Sequence, residues 1–332
     1  VIAIGTISAA ILVFLFHKNL ALVFLKGYDL ASVFIWLSVS LIFFTANTFF
    51  LAVLNGKKEV ARYIVANIVG SLGALILTGW LAIEFGLYGA LISLSLYQSA
   101  ACLATVFICA KTPWFRWSFF FGAFDATVFK NLLKFAAMAI CSAICVPICH
   151  ILIRDKLGAS FGWDAAGYWE AMWRLSSAYL LFISTTLSLY LLPKIASLEK
   201  LSDVRSEVVA GFKVILPFVA ISCMGIYLFR DVIIQLLFTK DFTPMRELFA
   251  WQLVGDFFRT IAWVLGYILI AKAWWKTYII FEIIGATSFY GYTILFSKYG
   301  VEGASMAHAL NYVVYDFCIL ICLYFYSRRM AR

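Results

Sequence analysis

Long apolar segments, separated by short polar ones, fill nearly the whole chain. A helix needs about 20 apolar residues to cross a hydrocarbon core of ~30 Å. Ten segments reach or approach that length: residues 1–16, 31–54, 60–82, 87–110, 129–153, 172–193, 208–228, 248–271, 277–297 and 303–327. A transmembrane barrel would instead show segments of about 10 residues with alternating apolar and polar positions. The pattern predicts an all-α, polytopic membrane helix bundle.

Composition and charge add an orientation. Of the 332 residues, 64% are hydrophobic and 13% are charged, whereas about a quarter of a soluble domain is charged. If the segments 55–59, 111–128, 194–207 and 272–276 and the C-terminal tail face the cytoplasm, sixteen of the 26 Lys and Arg residues lie on that side when residues near the span ends are counted. This bias follows the positive-inside rule and predicts a cytoplasmic C-terminus. The net charge of +9 is then a topology signal, and we expect no nucleic-acid partner.

An internal repeat relates the two ends of the chain. Three pairs of segments match at one offset of 214 or 215 residues: YIVANIVG with YIIFEIIG (63–70 and 278–285), FGLYGA with YGVEGA (85–90 and 299–304), and LVFLK with LLFTK (22–26 and 236–240). An even number of spans separates the matching segments. The two copies are therefore expected to be parallel and related about an axis along the membrane normal.

The repeat predicts two lobes. Residues 1–110 form an incomplete N-terminal lobe with four spans, 111–128 a cytoplasmic linker, and 129–332 a C-terminal lobe with six spans. Because the spans 129–153 and 172–193 have no upstream counterpart, we expect the chain to lack roughly 90 residues of a six-plus-six arrangement. Two such lobes around a central cavity are a common architecture for alternating access, although a channel or an enzyme can also arise by duplication.

The eight cysteines all lie within predicted spans. Cys141, Cys145 and Cys149 follow one helix face with His150 beside them, so a metal site has to be considered. Small, weakly polar residues are common at helix contacts in membranes, and no pair has the two-residue spacing of metal-ligand motifs. We therefore expect neither a metal nor another cofactor. The lack of a phosphate-binding glycine loop or a nucleophile elbow also argues against an enzyme.

Four charged residues are predicted at membrane depth: Asp256, Arg259, Glu282 and Asp316. Each costs about 2.5–3.5 kcal/mol at a helix centre on insertion scales, so each must face protein or water. Asp256 and Arg259 are three residues apart and share a helix face. They form either a structural pair or part of a cavity wall, where Arg259 meets an anion while Asp256 orients it or carries a coupling proton.

Glu282 aligns with Asn67 in the repeat, so one lobe has an acid where the other has an amide. This asymmetry favours a substrate or proton site, and the alternative is a Glu that reaches the membrane interface near Lys276. Asp316 follows His308 by eight residues, about two helical turns. His308 is either a cavity residue or a hydrogen-bonded packing residue.

Arg174 lies two residues into the span 172–193, after an outer loop expected at about 154–171. It either pairs with Glu170, one turn away, or extends its guanidinium into the cavity, where it can bind a phosphate in a bidentate manner. Three neutral residues supply hydrogen bonds that suit either sugar hydroxyls or contacts between helices: Asn47, Gln98 and Asn311.

Three stretches carry a resemblance to a known family: FTPMRELFAWQLVGDFFRTIAWVLGYILIAKA (242–273), AYLLFISTTLSLYLLPKIASL (178–198) and FKVILPFVA (212–220). They resemble the Wzx flippases of the MOP exporter superfamily, in particular those that serve enterobacterial common antigen. The resemblance extends over essentially the whole chain. It implies twelve spans in two lobes and an undecaprenyl-pyrophosphate-linked glycan, moved through the lipid bilayer from the cytoplasmic to the periplasmic leaflet of the bacterial inner membrane. Protein partners in polysaccharide assembly are a further implication.

The resemblance also suggests residue roles. Arg174 falls in the pattern A-x-x-R-L, where related exporters tend to hold an arginine, and Arg259 matches a position that is basic in close relatives. The resemblance therefore implies that both arginines bind phosphates and that the intramembrane acids tune the site or couple it to ions. Two alternatives remain. A MATE-like antiporter for cations or drugs would need an acid-rich cavity, and a membrane-embedded polysaccharide polymerase or transferase would hold its charged groups on a larger extramembrane loop.

Overall fold

The computed structural model describes residues 2–25, 27–116 and 125–330. Its α-helices are α1 (Ile2–Leu15), α2 (His17–Leu25), α3 (Ser32–Gly56), α4 (Val60–Ala110), α5 (Ala126–Phe161), α6 (Trp163–Thr186), α7 (Leu192–Ser197), α8 (Leu201–Leu228), α9 (Arg230–Leu237), α10 (Phe249–Ala271), α11 (Trp275–Leu295) and α12 (Glu302–Met330). A π-helical turn (Leu187–Leu191) joins α6 to α7, and 3-10 turns (Lys240–Leu248 and Phe296–Tyr299) precede α10 and follow α11. The described residues contain no β-strand, and the all-α prediction is confirmed.

Eight helical segments of the described chain are long and apolar enough to cross a membrane. The predicted spans 60–82 and 87–110 are the two halves of α4, which the non-helical backbone at Gly86 (φ 57°, ψ −137°) divides into two helices. The predicted span 1–16 corresponds to α1, an apolar helix of 14 residues. Each of the other seven predicted spans falls in one long helical segment. The protein is thus a multi-pass membrane protein. The eight segments differ from the ten predicted spans because Val60–Ala110 counts as one segment across Gly86 and because α1, with 14 residues, is too short to count.

Helices α5 and α6 are longer than predicted. α5 continues to Phe161 and α6 begins at Trp163, so a turn at Gly162 (φ 89°) replaces the loop expected at 154–171. That expectation was wrong because hydropathy does not detect a helix that extends beyond its apolar segment. The Arg, Lys, Ala and Glu residues of this stretch are good helix formers.

The chain divides into two compact units, Val1–Asp125 and Ala126–Arg332. The division falls in the predicted linker 111–128, of which residues 117–124 lie outside the described part. In the first unit, α3 packs along α4. Their contact buries four apolar residues: Phe50, Leu54, Ala66 and Cys109.

In the second unit, α10 is the central helix and packs against α6, α7, α8, α11 and α12. Two apolar clusters lie along it. One contains the fully buried side chains of Trp169, Met245 and Phe249, and the other contains Leu180 and Leu269. Because neighbouring helices cover α10 on most sides, its polar residues face protein rather than lipid.

Both units contain the same turn at the repeat offset. Lys58 and Ala273, 215 residues apart, both have positive φ (60° and 53°). Helices α4 and α11 begin two residues later, at Val60 and Trp275. The residue between donates its backbone N–H to the carbonyl five positions earlier in each copy: Glu59 to Leu54 (2.9 Å) and Trp274 to Leu269 (2.8 Å). This shared backbone geometry supports the repeat seen in the sequence.

A pair of glycines follows the repeat as well. Gly86 and Gly300 have positive φ (57° and 69°) with ψ of −137° and −148°, a region that residues with a Cβ avoid. We expect Gly300→Ala to destabilise the protein by about 1–3 kcal/mol, measured as a lower midpoint of thermal unfolding in detergent. The control is Gly291→Ala in α11, where an added Cβ meets nothing within 4 Å and alanine favours the helix by ~1 kcal/mol. Equal midpoints for the two variants would contradict the backbone conformation at Gly300.

Candidate functional site

A cavity of about 340 Å³ lies inside the second unit, between α5, α6, α10, α11 and α12. Eight aromatic side chains contribute to its wall: Trp173, Trp263, Tyr267, Tyr278, Phe281, Phe289, Tyr312 and Tyr315. Its polar lining consists of Ser142, His150, Arg259, Glu282 and Asn311. The cavity therefore brings together three residues that the sequence singled out, Arg259, Glu282 and Asn311. Its size and its mixture of aromatic and polar groups are those of a small-molecule site.

Arg259 is held between two indole rings. Its guanidinium carbon lies 4.5 Å from the ring centroid of Trp173 and 4.8 Å from that of Trp263, within the range of cation–π attraction. Its Nε and Nη1 atoms are buried and have no hydrogen-bond partner. No carboxylate lies within 4.0 Å of it among the described residues. The positive charge is thus stabilised by aromatic faces, while two of its donor atoms have no hydrogen-bond partner.

Asp256, three residues earlier on α10, is fully buried and faces other partners. Its Oδ1 lies 3.0 Å from Nε2 of His308 on α12, and its Oδ2 accepts a hydrogen bond of 2.6 Å from the Tyr179 hydroxyl on α6. Asp256 and Arg259 therefore share a helix face, as predicted, without forming an ion pair. A structural pair of Asp256 with Arg259 was one interpretation of the sequence. In the structure, Asp256 is paired with His308 instead.

Further polar residues extend this contact between α6, α10 and α12. The buried polar seam consists of Ser176, Tyr179, Gln252, Asp256, Ser305 and His308. One turn before Asp256, Gln252 donates to the Ser176 hydroxyl (3.3 Å) and accepts from the Ser305 hydroxyl (3.4 Å). His308 also lies edge-on to Trp173, with ring centroids 5.2 Å apart at 79°. The seam is thus in direct contact with one of the two rings that hold Arg259.

Glu282 supplies an acidic group and Asn311 a neutral polar group to the cavity wall. Glu282 is half-buried and has no basic residue within 4.0 Å among those described. The carbonyl oxygen of Asn311 accepts a hydrogen bond of 2.6 Å from Ser288. The hydroxyls of Ser142 and Tyr278 are 2.9 Å apart at the cavity wall. These groups can accept and donate hydrogen bonds beside the guanidinium of Arg259.

Arg174 does not reach this cavity. Its side chain is 79% exposed, and its Nε donates to Glu170 Oε1 at 2.9 Å. The structure therefore has the solvated i,i+4 pair that was the alternative interpretation of this residue. The physical reason is the helix geometry of α6: Trp173 lines the cavity, and Arg174, the next residue, is turned about 100° away from it around the helix axis.

The remaining predicted site residues lie elsewhere. Asn47 is buried in the first unit, where its side-chain oxygen accepts a hydrogen bond of 2.7 Å from Thr105, a contact between helices. Asp316 is buried on α12, outside the cavity lining, and neither carboxyl oxygen has a hydrogen-bond partner. The side chain of Gln98 lies outside the described part of the chain.

Sequence reasoning missed the residues that hold Arg259 and Asp256 in place. Trp263 is four residues after Arg259, so the i,i+4 spacing on α10 could have identified it. Trp173 and Tyr179 come from α6, about 80 residues away, and no local pattern connects them with α10. His150 was considered only as a metal ligand, whereas its ring packs edge-on against Trp173 at 4.1 Å.

The chain is similar to known proteins in sequence and in fold. The family model described as polysaccharide biosynthesis protein matches residues 1–247. The lipid III flippases of Escherichia coli K12 and Shigella flexneri are each 35% identical over 283 residues, which is 85% of this chain and 68% of the relative. Among solved structures, a Vibrio cholerae MATE transporter superposes with a TM-score of 0.84 at 16% identity, covering 99% of this chain and 77% of that protein. An outward-facing multidrug resistance MATE transporter of the MOP superfamily gives 0.80 at 13% identity, covering 99% and 78%. At these identities the two structures establish the fold alone.

Proposed function

This chain belongs to the polysaccharide biosynthesis protein family, and from that premise we propose that the cavity around Arg259 receives the phosphate-bearing headgroup of a transported lipid. The protein is a flippase for a lipid-linked oligosaccharide, as are the lipid III flippases to which it is 35% identical. For the substrate we propose an undecaprenyl-pyrophosphate-linked repeat unit of the enterobacterial common antigen type. The reaction is a movement between leaflets, and we assign no catalytic residue.

The observation that carries this proposal is the unpaired guanidinium of Arg259. A phosphate group cannot enter hydrocarbon without replacement of its water, because a charge without partners is costly in a medium of low dielectric constant. Guanidinium is a strong donor to phosphate; Arg259 lines the cavity, and its Nε and Nη1 donors have no hydrogen-bond partner. The site therefore offers the contact that an anionic headgroup needs during its passage.

The other cavity groups suit the glycan. Glu282 accepts hydrogen bonds from hydroxyl groups, and Asn311 supplies an amide whose oxygen is already oriented by Ser288. Ion coupling by Glu282 or Asp316 and tuning of Arg259 by Asp256 belong to the same proposal. Phosphate binding at Arg174 stays a prediction without a supporting contact.

Direction follows from charge. We propose that the protein lies in the bacterial inner membrane with its C-terminus in the cytoplasm, and that alternating access carries the headgroup to the periplasmic leaflet. A membrane potential that is negative inside favours outward movement of an anion by ~2.3 kcal/mol per charge per 100 mV. Association with other proteins of polysaccharide assembly is part of this proposal and is drawn from the family.

The alternatives fit the cavity less well. A MATE-like antiporter shares the fold, but a site for organic cations needs acids without a competing positive charge. Here Arg259 lies in the same cavity as Glu282. A polymerase or transferase would hold its reacting groups on an extramembrane loop. The outer loop expected at about 154–171 is only a turn at Gly162 in the structure.

The test is a leaflet assay with the full-length protein in proteoliposomes. A lipid-pyrophosphate oligosaccharide with a fluorophore on the glycan is placed in both leaflets, and membrane-impermeant dithionite is added outside. Flipping should make nearly all of the fluorescence accessible, whereas protein-free vesicles should lose only the outer half. A neutral lipid-linked glycan without phosphate should not be moved. Bleaching that stops at the level of empty vesicles would refute the function.

A further inference from the structure

Two opposite charges on α10, those of Asp256 and Arg259, do not form an ion pair with each other. Asp256 and Arg259 are three residues apart, the spacing at which opposite charges on a helix normally meet. In a medium of low dielectric constant their attraction is strong. Yet both carboxyl oxygens of Asp256 are taken by residues of other helices, while Arg259 lies between two indole rings with donors unused.

We propose that His308 and Tyr179 are positioning residues that hold Asp256 away from Arg259 and so keep the guanidinium available for the anionic headgroup. The inference rests on the proposed function of the Arg259 cavity. It gives the buried acid a role that differs from binding the substrate. Asp256 acts as a competitor for Arg259, and the seam between α6, α10 and α12 suppresses that competition.

His308 has two contacts that support this role. It satisfies Asp256 Oδ1 at 3.0 Å, and its ring lies against Trp173, the indole from α6 that covers Arg259. Loss of the imidazole therefore removes a donor from the acid and a packing partner from the ring at once. A buried carboxylate that loses its donor is under-satisfied, and the nearest cation on the same helix face is Arg259.

The first test is a rescue experiment. We expect His308→Leu to reduce transport of the lipid-linked oligosaccharide by about tenfold or more, because the released Asp256 captures Arg259. Asp256→Asn in the His308→Leu background should restore transport to within about threefold of the wild type, because an amide cannot form the ion pair. The control His308→Gln keeps an N–H at the distance of Nε2 and should retain most of the activity.

A purely structural role for the seam gives the opposite pattern. The double variant would then lack two buried hydrogen-bonding groups and would be no more active than His308→Leu, which would overturn the proposal. If His308→Leu does not reach the membrane, Tyr179→Phe serves instead, because it removes one hydroxyl and keeps the ring. Its smaller loss should also be reversed by Asp256→Asn, and failure of that reversal would overturn the proposal equally.

A chemical readout separates this inference from the proposed function. Phenylglyoxal modifies free guanidinium groups, and the modified peptide that contains Arg259 can be quantified by mass spectrometry without any transport. Arg259 should react in the wild type and in the double variant and be protected in His308→Leu. Unchanged reactivity in His308→Leu would overturn the inference even if Arg259 is essential for transport. The expected reactivity pattern together with normal transport by Arg259→Ala would uphold the sequestration of Asp256 and refute the phosphate site.

Discussion

Replacement of Arg259 by alanine is expected to reduce transport of the lipid-linked oligosaccharide by at least about a hundredfold, because removal of a buried charged partner costs 2–5 kcal/mol or more. Among the described residues that line the cavity, the guanidinium is the one basic group apart from His150. Without it, the headgroup would leave water for aromatic walls and the acid of Glu282. The leaflet assay measures this loss directly, provided that the variant is inserted in the membrane at the level of the wild type.

Two further variants test the chemistry rather than the mere presence of a side chain. Arg259→Lys keeps the charge but has a single ammonium, which cannot form two parallel bonds to one phosphate, so we expect partial activity. The matched control is Arg246→Ala. Arg246 is half-exposed, makes two hydrogen bonds to Asp231, at 2.6 and 3.2 Å, and is not part of the cavity lining. The transport rate of the Arg246→Ala variant should lie within about twofold of the wild-type rate, since exposed ion pairs contribute little to stability. Full activity of Arg259→Ala would reject the site.

The membrane fold could be predicted from the sequence because lipid imposes one strong rule. Every backbone group must be satisfied within the bilayer, so a long apolar segment is a helix. What could not be predicted was how helices continue beyond the apolar region. α5 and α6 meet at Gly162 because polar helix formers extend both of them, and hydropathy carries no signal for that. By contrast, the break at Gly86 separates two helices within α4, in agreement with the two spans 60–82 and 87–110 that the sequence predicts.

The site was predictable in its charges and unpredictable in its partners. Burial of Arg259 follows from its position in an apolar segment, because a charge at membrane depth must face protein or water. The choice between an ion pair with Asp256 and a free guanidinium depends on Tyr179 and His308, which reach α10 from two other helices. Arg174 shows the same limit. Its partner Glu170 could be identified from the sequence, but the direction in which that face of α6 points could not.

Gly255→Ala is expected to be the most destabilising single-methyl change in α10. A Cβ at this position would overlap Cδ2 of His308 and lie 2.8 Å from its Nε2. The imidazole is fully buried and hydrogen-bonded to Asp256, so it cannot swing away without breaking that bond. Overpacking of this kind costs about 1–3 kcal/mol, and the lost hydrogen bond to a charged group adds about 1.5–3 kcal/mol. The expected result is a clearly lower midpoint of thermal unfolding in detergent, followed by tryptophan fluorescence.

The control for this change lies three turns further along the same helix. At Gly266 an added Cβ meets nothing within 4 Å, so Gly266→Ala should leave the midpoint unchanged or raise it, by up to ~1 kcal/mol of helix propensity. The cause of the Gly255 effect can then be isolated with a double-mutant cycle. In a His308→Ala background the imidazole is gone, the added methyl group has room, and Gly255→Ala should cost little. If Gly255→Ala is as destabilising in that background as in the wild type, the close approach of α10 and α12 is not what requires the glycine, and the contact that places His308 against Asp256 has been misassigned.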